Sequence, residues 1–430
     1  MVNSLAQSPK LKIWILEIGE PLPIEQGVRL HRYGLFSKWL ASQGHSVTWW
    51  TSSFSHAPKK NFVGEDCEIL KDAVHLKFIF GKGYKRNISL ARIRHQADFA
   101  KRFIELASRV DAQDLPDVIM APIPTIDGAC AAIDFARKKK IAVIADIRDL
   151  WPDEIRDLAP SFARGLAELA LFRAYNKLRK VCHQATAICG VSQSYLAYGL
   201  RHTGRRRATD LNLGLDFVFP LGYSTQAVSH EKRSADEHWY ASLKVPSGAF
   251  VVCFFGTIGK FFDLKTVLGA ARELGPDYHF ILGGDGSSLE GFKREAQDLR
   301  NVIFTGWLDA SQIQEVMRNS KVGLAPYARD AKMSLPNKPF EYMSAGLAVV
   351  SSIQYELKEI LASSRAGLTY NADSVSDLSS ALRRLHGDPK LLAEFGANAR
   401  SLFEHEYTTE KVFASALLKI QKVVEVWRAK

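Results

Sequence analysis

Strand-like apolar runs alternate with helical stretches along this chain, and the alternation starts again about halfway. In the first half, residues 12–18 have the pattern of a strand, residues 30–43 that of a helix, and a second strand begins at His45. Two strands joined through a helix favour a parallel sheet, because parallel strands need a long crossover connection. Further strands of this half are predicted at residues 74–80, 118–121, 141–146 and 185–191.

The second half repeats this order after a polar stretch at residues 211–247. Its predicted helix covers residues 264–274, and its predicted strands begin at Ala249, His279, Val302, Val322 and Leu347. This spacing predicts an α/β fold of two Rossmann-like, doubly wound parallel sheets, with ligands at the carboxyl ends of the strands. We place the first domain at residues 1–212 and the second at residues 213–408.

Composition limits the class of protein and its partners. The 430 residues are 47% hydrophobic, which is enough for two cores, and the formal net charge is +11. A positive chain indicates an acidic partner, which is nucleic acid, anionic lipid or a phosphorylated substrate. Composition does not choose among these three.

Cysteine and hydropathy patterns indicate a reducing compartment. The five cysteines form no CxxC pair and have no histidine at metal-ligand spacing, so we expect neither a disulfide nor a metal site. No run approaches the roughly 20 apolar residues of a membrane-spanning helix, and the first residues lack the apolar region of a signal peptide. A cytoplasmic protein is therefore expected.

Residues 335–352, LPNKPFEYMSAGLAVVSS, combine a helix start, a lone acid and a buried strand. Asn337 is the predicted N-cap of a helix at residues 338–345, and Gly346 ends that helix. The free N–H groups at the helix start and Lys338 would attract a phosphate.

Glu341 lies one turn into this predicted helix. Its two carboxylate oxygens can accept hydrogen bonds from the vicinal hydroxyls of a ribose beside the phosphate. The alternative is an ordinary amphipathic helix on which Glu341 is simply solvated.

Two glycine-containing loops follow predicted strands of the second half. Gly256, Thr257 and Lys260 lie in the sequence GTIGK, where backbone amides and a lysine can bind a diphosphate. The alternative for Lys260 is a surface lysine after a turn. Gly284 and Asp285 lie in the turn GGDG, which is a weak signal by itself.

The first half also has candidate ligand loops at strand ends. Gly27 precedes the first helix and lets the backbone approach a ligand closely. Arg148 and Asp149 follow the strand at residues 141–146, so we expect them at the ligand-binding edge, with Arg148 holding Asp149 by a charge-assisted bond. The alternative is a buried ion pair that only fixes the loop.

Together these segments resemble the GT-B-fold retaining glycosyltransferases, and within them family 4. Members carry a stretch similar to PNKPFEYMSAG, whose acid, Glu341 here, holds the nucleotide ribose. The resemblance implies that Lys260 and Lys338 share the leaving diphosphate, and that Gly284 and Asp285 form the turn beneath the nucleotide.

The resemblance also implies the remaining contacts of the donor. Trp307 and Leu308 would contact the base, although a tryptophan at this position is equally typical of a buried core residue. Many members carry a glutamate where this chain has Met333, so Ser334 and Leu335 would take its place near the sugar, just before Asn337.

The implied activity is a retaining transfer of a hexose from a UDP-sugar to a glycan or lipid-linked acceptor in polysaccharide biosynthesis. Glucose is the expected sugar. The chain has no DxD motif, so we expect metal independence and no cofactor besides the donor. Asp149 would orient an acceptor or donor hydroxyl, and the helix at residues 409–430 would join the first domain.

Basic tracts at residues 77–102 and 201–207 are typical of solvated faces, but they also fit an anionic membrane or a lipid diphosphate acceptor. The expected location is the cytoplasm, with peripheral contact at the inner face of the plasma membrane. The acceptor and its linkage are not predicted.

Three other functions compete with a transferase. A GT-B enzyme of another kind, such as a nucleotide-sugar epimerase, needs cleft acids and bases in both domains, and only Arg148 and Asp149 are candidates. A nucleic-acid-binding protein is indicated by charge alone, without a helix-turn-helix, zinc or RNA-binding signature, so no nucleic acid partner is expected. A nucleotide-binding protein without turnover is the third, motivated by Met333.

Overall fold

Two parallel sheets dominate the structure, one in each half of the chain. The computed structural model describes residues 9–24, 30–56, 58–86, 89–204, 214–223, 234–331 and 335–429. Contacts divide the chain into a first unit, Met1–Pro220 with Phe413–Lys430, and a second unit, Leu221–Val412. The two divisions therefore fall eight and four residues later than the domain boundaries expected from the sequence.

The strands run through both units in chain order. They are β1 (Lys12–Leu16), β2 (Ser46–Ser52), β3 (Phe54–Ser55), β4 (Lys60–Asn61), β5 (Cys67–Lys71), β6 (Val74–Ile79), β7 (Val118–Ile123), β8 (Ala142–Ile147), β9 (Ala187–Gly190), β10 (Phe217–Val218), β11 (Phe250–Phe255), β12 (Tyr278–Gly283), β13 (Val302–Gly306), β14 (Val322–Ala325), β15 (Ala348–Ser351) and β16 (Gly367–Thr369).

Helices connect most of these strands. They are α1 (Arg32–Ser42), α2 (Leu90–Ala107), α3 (Ile126–Lys139), α4 (Asp153–Arg156), α5 (Arg164–Ala170), α6 (Phe172–Gln184), α7 (Gln193–Arg201), α8 (Ser234–Ser242), α9 (Leu264–Leu274), α10 (Leu289–Glu295), α11 (Ala310–Asn319), α12 (Asn337–Ser344), α13 (Glu356–Ser364), α14 (Val375–Gly387), α15 (Pro389–Leu402) and α16 (Thr409–Arg428).

The sheet of the first unit has the strand order β10-β9-β8-β7-β1-β2-β6-β5, and all neighbours are parallel except β5 and β6. Every residue of β7 and β8 is buried, as expected for central strands covered on both faces. Trp14 lies in the core of this unit, where its ring stacks on Phe135 and meets Trp50 edge-on. The parallel α/β architecture expected from the sequence is confirmed for this unit.

The antiparallel edge strand β5 was not predicted. A two-residue turn joins it to β6, and both turn residues have positive φ, 51° at Asp72 and 59° at Ala73. Positive φ at both positions matches the right-handed twist of a hairpin, but such turns usually contain glycine. The sequence therefore lacked the usual signal for this turn.

The sheet of the second unit is parallel throughout, with the strand order β13-β12-β11-β14-β15-β16. Strands β11 and β12 are completely buried, which agrees with their unbroken apolar sequences. The strand order reverses between β11 and β14, so the loops after these two strands start at a topological switch point, where open α/β sheets bind ligands. The doubly wound architecture is confirmed here too.

The last helix, α16, contributes to the core of the first unit. The ring of Phe413 lies 5.0 Å from that of Phe36 and 6.2 Å from that of Phe219. Near its end, Trp427 Nε1 donates a hydrogen bond to the carbonyl of Lys140 at 3.0 Å. Within the described residues, no helix combines the length and the apolar character needed to cross a membrane.

Candidate functional site

Three strand ends of the second unit are joined by backbone hydrogen bonds. The amide of Gly256 after β11 donates to the carbonyl of Gly283 at 2.9 Å, and the amide of Gly284 donates to that of Gly306 at 2.7 Å. Gly284 has a φ of 135°, and a Cβ atom there would overlap the carbonyl oxygen of Gly256. A glycine is therefore required for the loops after β11 and β12 to approach this closely.

Lys338 from helix α12 lies over the backbone of Gly256. A Cβ atom on Gly256 would be 2.5 Å from Lys338 Cε and 2.6 Å from Nζ, and the φ of Gly256 is 154°. The ammonium also lies 4.5 Å from the ring centre of Phe262 and 5.7 Å from that of Phe254, close enough for cation–π attraction. Lys338 therefore brings the start of α12 into contact with the loop after β11. The sequence linked these two segments only through the family resemblance.

The start of α12 differs from the prediction in one respect. Helix α12 begins at Asn337, and Pro336 is the N-cap, with φ −76° and ψ 164°. Asn337 does not cap the helix, because its side-chain oxygen accepts a hydrogen bond from Tyr223 Oη at 2.8 Å. The N-cap residue Pro336 makes no side-chain hydrogen bond to the amides of this helix end. A helix N-terminus of this kind attracts anions through its amides and its dipole.

Glu341 lies one turn into α12 and is partly buried. Burial raises the pKa of Tyr327, and the nearby Glu341 carboxylate raises it further. The pKa of Tyr342 is also raised, first by burial, then by Cys253 and then by Glu341. Glu341 is thus close to the buried tyrosine that follows β14, at the switch point of the sheet.

The other predicted donor contacts are distributed around these loops. Trp307 is 77% exposed, so it is not a core anchor, whereas Leu308 is buried. Thr257 and Lys260 are exposed, and the Lys260 ammonium lies 5.3 Å from the ring centre of Phe261.

Four other residues were predicted to contact the donor, and the structure describes two of them. The exposed Asp285 accepts a hydrogen bond from the amide of Gly286 at 2.6 Å, and Leu335 is partly buried. Gly27 and Ser334 lie outside the described residues. The described part of the chain has no group of three or more His, Cys, Asp or Glu side chains placed to hold a metal ion.

In the first unit, Arg148 pairs with two glutamates. Its Nη1 is 2.9 Å from Glu17 Oε2 and its Nη2 is 2.6 Å from Glu20 Oε1. The predicted bond from Arg148 to Asp149 is therefore wrong, because the guanidinium is directed to the loop after β1. Burial raises the pKa of Glu17 to about 7, with Arg148 opposing this shift and Glu20 adding to it.

Asp146 lies beneath this group at the end of β8 and is completely buried. It pairs with Arg32 of α1, and it accepts hydrogen bonds from Tyr33 Oη at 2.8 Å and from Cys189 Sγ at 3.3 Å. The sequence analysis missed Glu17, Glu20 and Asp146. A usable signal was present for Asp146, since a carboxylate within an apolar strand needs a buried partner.

A separate group of aromatic and basic side chains lies near the start of α2. His56 Nδ1 is 2.5 Å from Tyr84 Oη, and the Tyr84 ring centre is 4.8 Å from Lys59 Nζ and 5.8 Å from the Arg92 guanidinium carbon. Burial lowers the pKa of His56 to about 4, and Lys59 and Arg92 lower it further. Burial raises the pKa of Asp149, and the positive charges of Arg148 and Arg92 lower it. Arg92 therefore acts on Asp149 just after the end of β8.

Comparison with known proteins identifies the fold. Residues 249–388 match the family described as Glycosyl transferases group 1. The structure of HepE from Anabaena in complex with UDP-glucose is 15% identical, with a TM-score of 0.65 over 96% of this chain and 100% of that chain. The chain has the GT-B fold. The resemblance to GT-B glycosyltransferases is confirmed, while family 4 membership and retention stay predictions.

Two further relatives of this GT-B protein differ in how much they share. Sucrose-phosphate synthase from Thermosynechococcus elongatus is 14% identical, with a TM-score of 0.70 over 97% of this chain and 100% of that chain. TuaH of Bacillus subtilis (strain 168), named as a teichuronic acid biosynthesis glycosyltransferase, is 25% identical over 217 residues, 49% of this chain. The match spans 50% of TuaH, about half the length of that curated relative.

Proposed function

We propose that this protein transfers a hexose from a UDP-sugar to a glycan or lipid-linked acceptor in polysaccharide biosynthesis. The observation that carries this proposal is the position of Lys338, whose ammonium lies against the backbone of Gly256 at the start of α12. A cation, a glycine-bounded loop and a helix N-terminus together suit a diphosphate. The complex of HepE with UDP-glucose supports a UDP-sugar as the donor, and glucose is the sugar we propose.

Each donor group has a proposed partner. Lys338 and the amides of α12 bind the diphosphate, with Lys260 adding a second charge. Glu341 accepts hydrogen bonds from the ribose hydroxyls, and Trp307 and Leu308 contact the uracil. Ser334 and Leu335 contact the sugar. Because these charges neutralise the leaving diphosphate directly, the reaction needs no divalent metal.

The proposed reaction retains the anomeric configuration. The bond between the anomeric carbon and the diphosphate oxygen breaks, and an acceptor oxygen bonds the same carbon from the same face. The acceptor proton passes to the departing diphosphate oxygen, so the products are the glycoside and UDP. The cationic site around Lys338 stabilises the charge that develops on this oxygen, and no protein nucleophile takes part.

The acceptor site is proposed in the first unit. Asp149, whose pKa is raised by burial, would orient the acceptor hydroxyl, and Arg148 is held in place by Glu17 and Glu20. The positive charge of Lys59 and Arg92 beside Tyr84 suits a phosphate of a lipid-diphosphate acceptor. This is consistent with a cytoplasmic protein in peripheral contact with the inner face of an anionic plasma membrane.

The donor site is tested by calorimetry with UDP, GDP and ADP in the absence of metal. We expect UDP to bind the wild type, and Glu341→Ala to weaken this binding at least about tenfold, since two ribose hydroxyls lose a charged acceptor. Glu359→Ala, an exposed acid on α13, is the matched control and should bind UDP normally. Hydrolysis of a panel of UDP-sugars then identifies the sugar. Absence of nucleotide binding by the wild type would refute the proposed donor site.

A further inference from the structure

Helix α2 of the first unit has an exposed outer face along its first turns. This outer face consists of Leu90, Ile93, Arg94, Ala97 and Lys101, all of them exposed. The positions follow the i, i+3, i+4, i+7, i+11 spacing of one side of a helix. The exposed fraction is 73% for Leu90 and 57% for Ile93, whereas His95, Phe99 and Phe103 are buried in the unit. The outer face therefore combines large apolar side chains with two cations.

The outer face belongs to a single, well-defined helix. Ser89 is its N-cap, because Ser89 Oγ accepts a hydrogen bond from the amide of Arg92 at 3.2 Å. The helix then continues without interruption for 18 residues. Its inward side is held by the aromatic core of the unit, where Phe103 meets Trp14 and Trp50 edge-on. Leu90 and Ile93 are thus fixed on the outside of a packed helix.

The loop after β6 lies against the first turns of α2 and adds further cations. A Cβ atom on Gly81 would be 2.5 Å from His95 Cε1, and the ring centre of Tyr84 is 5.5 Å from that of His95. This loop also carries three exposed basic side chains, which are those of Lys82, Lys85 and Arg86. The cations of the loop and those of the outer face therefore belong to one region of the surface.

Positive charge dominates this region. Residues 74–97 contain six Lys or Arg side chains and no Asp or Glu. Further along α2, Asp98 and Glu105 are offset by Lys101 and Arg102, so residues 74–107 keep a formal charge of +6. Within the part of the chain that the structure describes, the ion pairs of this region involve Lys77 with Glu68, and Arg102 with Asp66 and Glu105. They leave out the four exposed cations Lys82, Lys85, Arg86 and Arg94.

We propose that the outer face of α2 lies in the headgroup region of an anionic phospholipid bilayer, with Leu90 and Ile93 inserted and the surrounding cations on the lipid phosphates. This deepens the peripheral membrane contact proposed above, on which it rests, by assigning it to one helix. Arg92, on the same turn, lies 5.8 Å from the ring centre of Tyr84, where the phosphate of a lipid-diphosphate acceptor is proposed to bind. The same membrane would then hold the enzyme and its acceptor side by side.

Other occupants suit this surface less well. A nucleic acid backbone attracts cations, but it offers no apolar region in which exposed Leu90 and Ile93 would be buried. A second copy of the chain would bring the same excess of positive charge against itself, and like charges repel. A bilayer satisfies both features, because its anionic headgroups lie directly above hydrocarbon.

Vesicle flotation of the full chain tests this inference, with phosphatidylcholine vesicles that contain or lack phosphatidylglycerol. We expect the wild type to float with the anionic vesicles and not with the neutral ones. Leu90→Gln with Ile93→Gln should lower partitioning at least about tenfold, because two large apolar side chains no longer leave water. Glutamine is a good helix former, so α2 should persist.

A second double variant provides the matched control. Leu166→Gln with Leu169→Gln on α5 removes two leucines that are 73% and 72% exposed in the same unit. The charges of residues 157–173 cancel, so this variant should float as the wild type does. Leu90→Met with Ile93→Leu keeps the apolar character of the outer face and should also float normally.

Several results would overturn the inference. These are a wild type that does not float, one that floats equally with neutral vesicles, and an α2 glutamine variant that floats as well as the wild type. An equal loss in the α5 control, or in the conservative α2 variant, would also contradict it. So would binding of a DNA duplex, or a dimer in sedimentation equilibrium, that the α2 glutamine variant abolishes while flotation is unchanged. UDP calorimetry on each protein is independent of lipid, so loss of UDP binding in the wild type would count against the donor site alone.

Discussion

The contact between Lys338 and Gly256 leaves no room for a side chain on Gly256. In Gly256→Ala, the new Cβ atom would displace the flexible end of Lys338, and a φ of 154° would add strain of about 1–3 kcal/mol. We expect a folded protein with UDP affinity reduced at least about tenfold, measured by calorimetry. Gly291→Ala in α10 is the control, since nothing lies within 4 Å of its Cβ position. Equal UDP affinity in both variants would mean that Lys338 does not bind the diphosphate.

Glu17 predicts a pH dependence of stability. Its pKa rises from 4.5 to about 7 on folding, so the folded state binds this proton more tightly than the unfolded state. The stabilisation of the fold by this proton is complete below pH 4.5 and is lost as the pH rises through 7. It changes the free energy of unfolding by up to about 3 kcal/mol.

The variant Glu17→Gln isolates this contribution. Urea unfolding at several pH values should show that the stability of the wild type relative to Glu17→Gln falls between pH 5 and 8, with both proteins measured in the same buffers. The exposed acid in Glu65→Gln serves as the control and should give a nearly constant difference. A constant difference for Glu17→Gln as well would contradict the raised pKa.

Individual site residues were predictable from the sequence where the signal was local. Lys338 and Glu341 lie in one continuous motif, so their placement near the start of α12 followed from helix rules. Glu17 and Arg148 are 131 positions apart, and their pairing depends on β1 and β8 belonging to one sheet. Sequence neighbours suggested Asp149 as the partner of Arg148 instead, and the fold placed two glutamates within reach.

At the scale of single elements, α12 has the proposed phosphate site at its start and a glycine just after its end. Gly346, just after α12, has a φ of 70°, which a residue with a Cβ atom adopts only with strain. Gly346→Ala should lower the free energy of unfolding by about 1 kcal/mol. It should leave UDP affinity unchanged, because the proposed phosphate site is at the other end of the helix.

Urea unfolding and calorimetry check this prediction. Gly387→Ala at the end of α14 provides the comparison, since its φ is not positive and nothing lies within 4 Å of its Cβ position. This variant should be neutral or slightly stabilising, by up to about 1 kcal/mol. If Gly346→Ala were equally harmless, the positive φ at the end of α12 would not matter energetically.

The helices and strands that were predictable from the sequence are those with a clear periodicity of apolar residues. Helix α9 covers Leu264–Leu274, as its pattern of apolar residues predicted. The edge strand β5 was missed, because its residues are mostly solvent-exposed and its turn contains no glycine. The predicted strand at residues 12–18 ends two residues early, at Leu16, and the next residue, Glu17, pairs with Arg148.

At the scale of the whole molecule, the first unit depends on a segment from the end of the chain. Phe413 is completely buried against Phe36 and Phe219. Phe413→Ala should therefore destabilise the first unit by about 3–5 kcal/mol, through lost burial and a remaining cavity.

Scanning calorimetry with and without UDP separates the effects on the two units. UDP should raise the transition of the second unit by mass action, and Phe413→Ala should lower only the transition of the first unit. Leu418→Ala, which truncates an exposed leucine on the same helix, should change neither transition. A Phe413→Ala protein that lost only the UDP-sensitive transition would contradict the assignment of residues 413–430 to the first unit.

The interrupted first unit also sets an order for folding during synthesis. Residues 1–220 leave the ribosome first, but they lack Phe413, Trp427 and Arg428 until nearly two hundred further residues have been translated. The second unit, Leu221–Val412, is contiguous and can complete its core before the first unit does. A product of premature termination before Phe413 would leave the rings of Phe36 and Phe219 without their last partner, a surface that chaperones and proteases recognise.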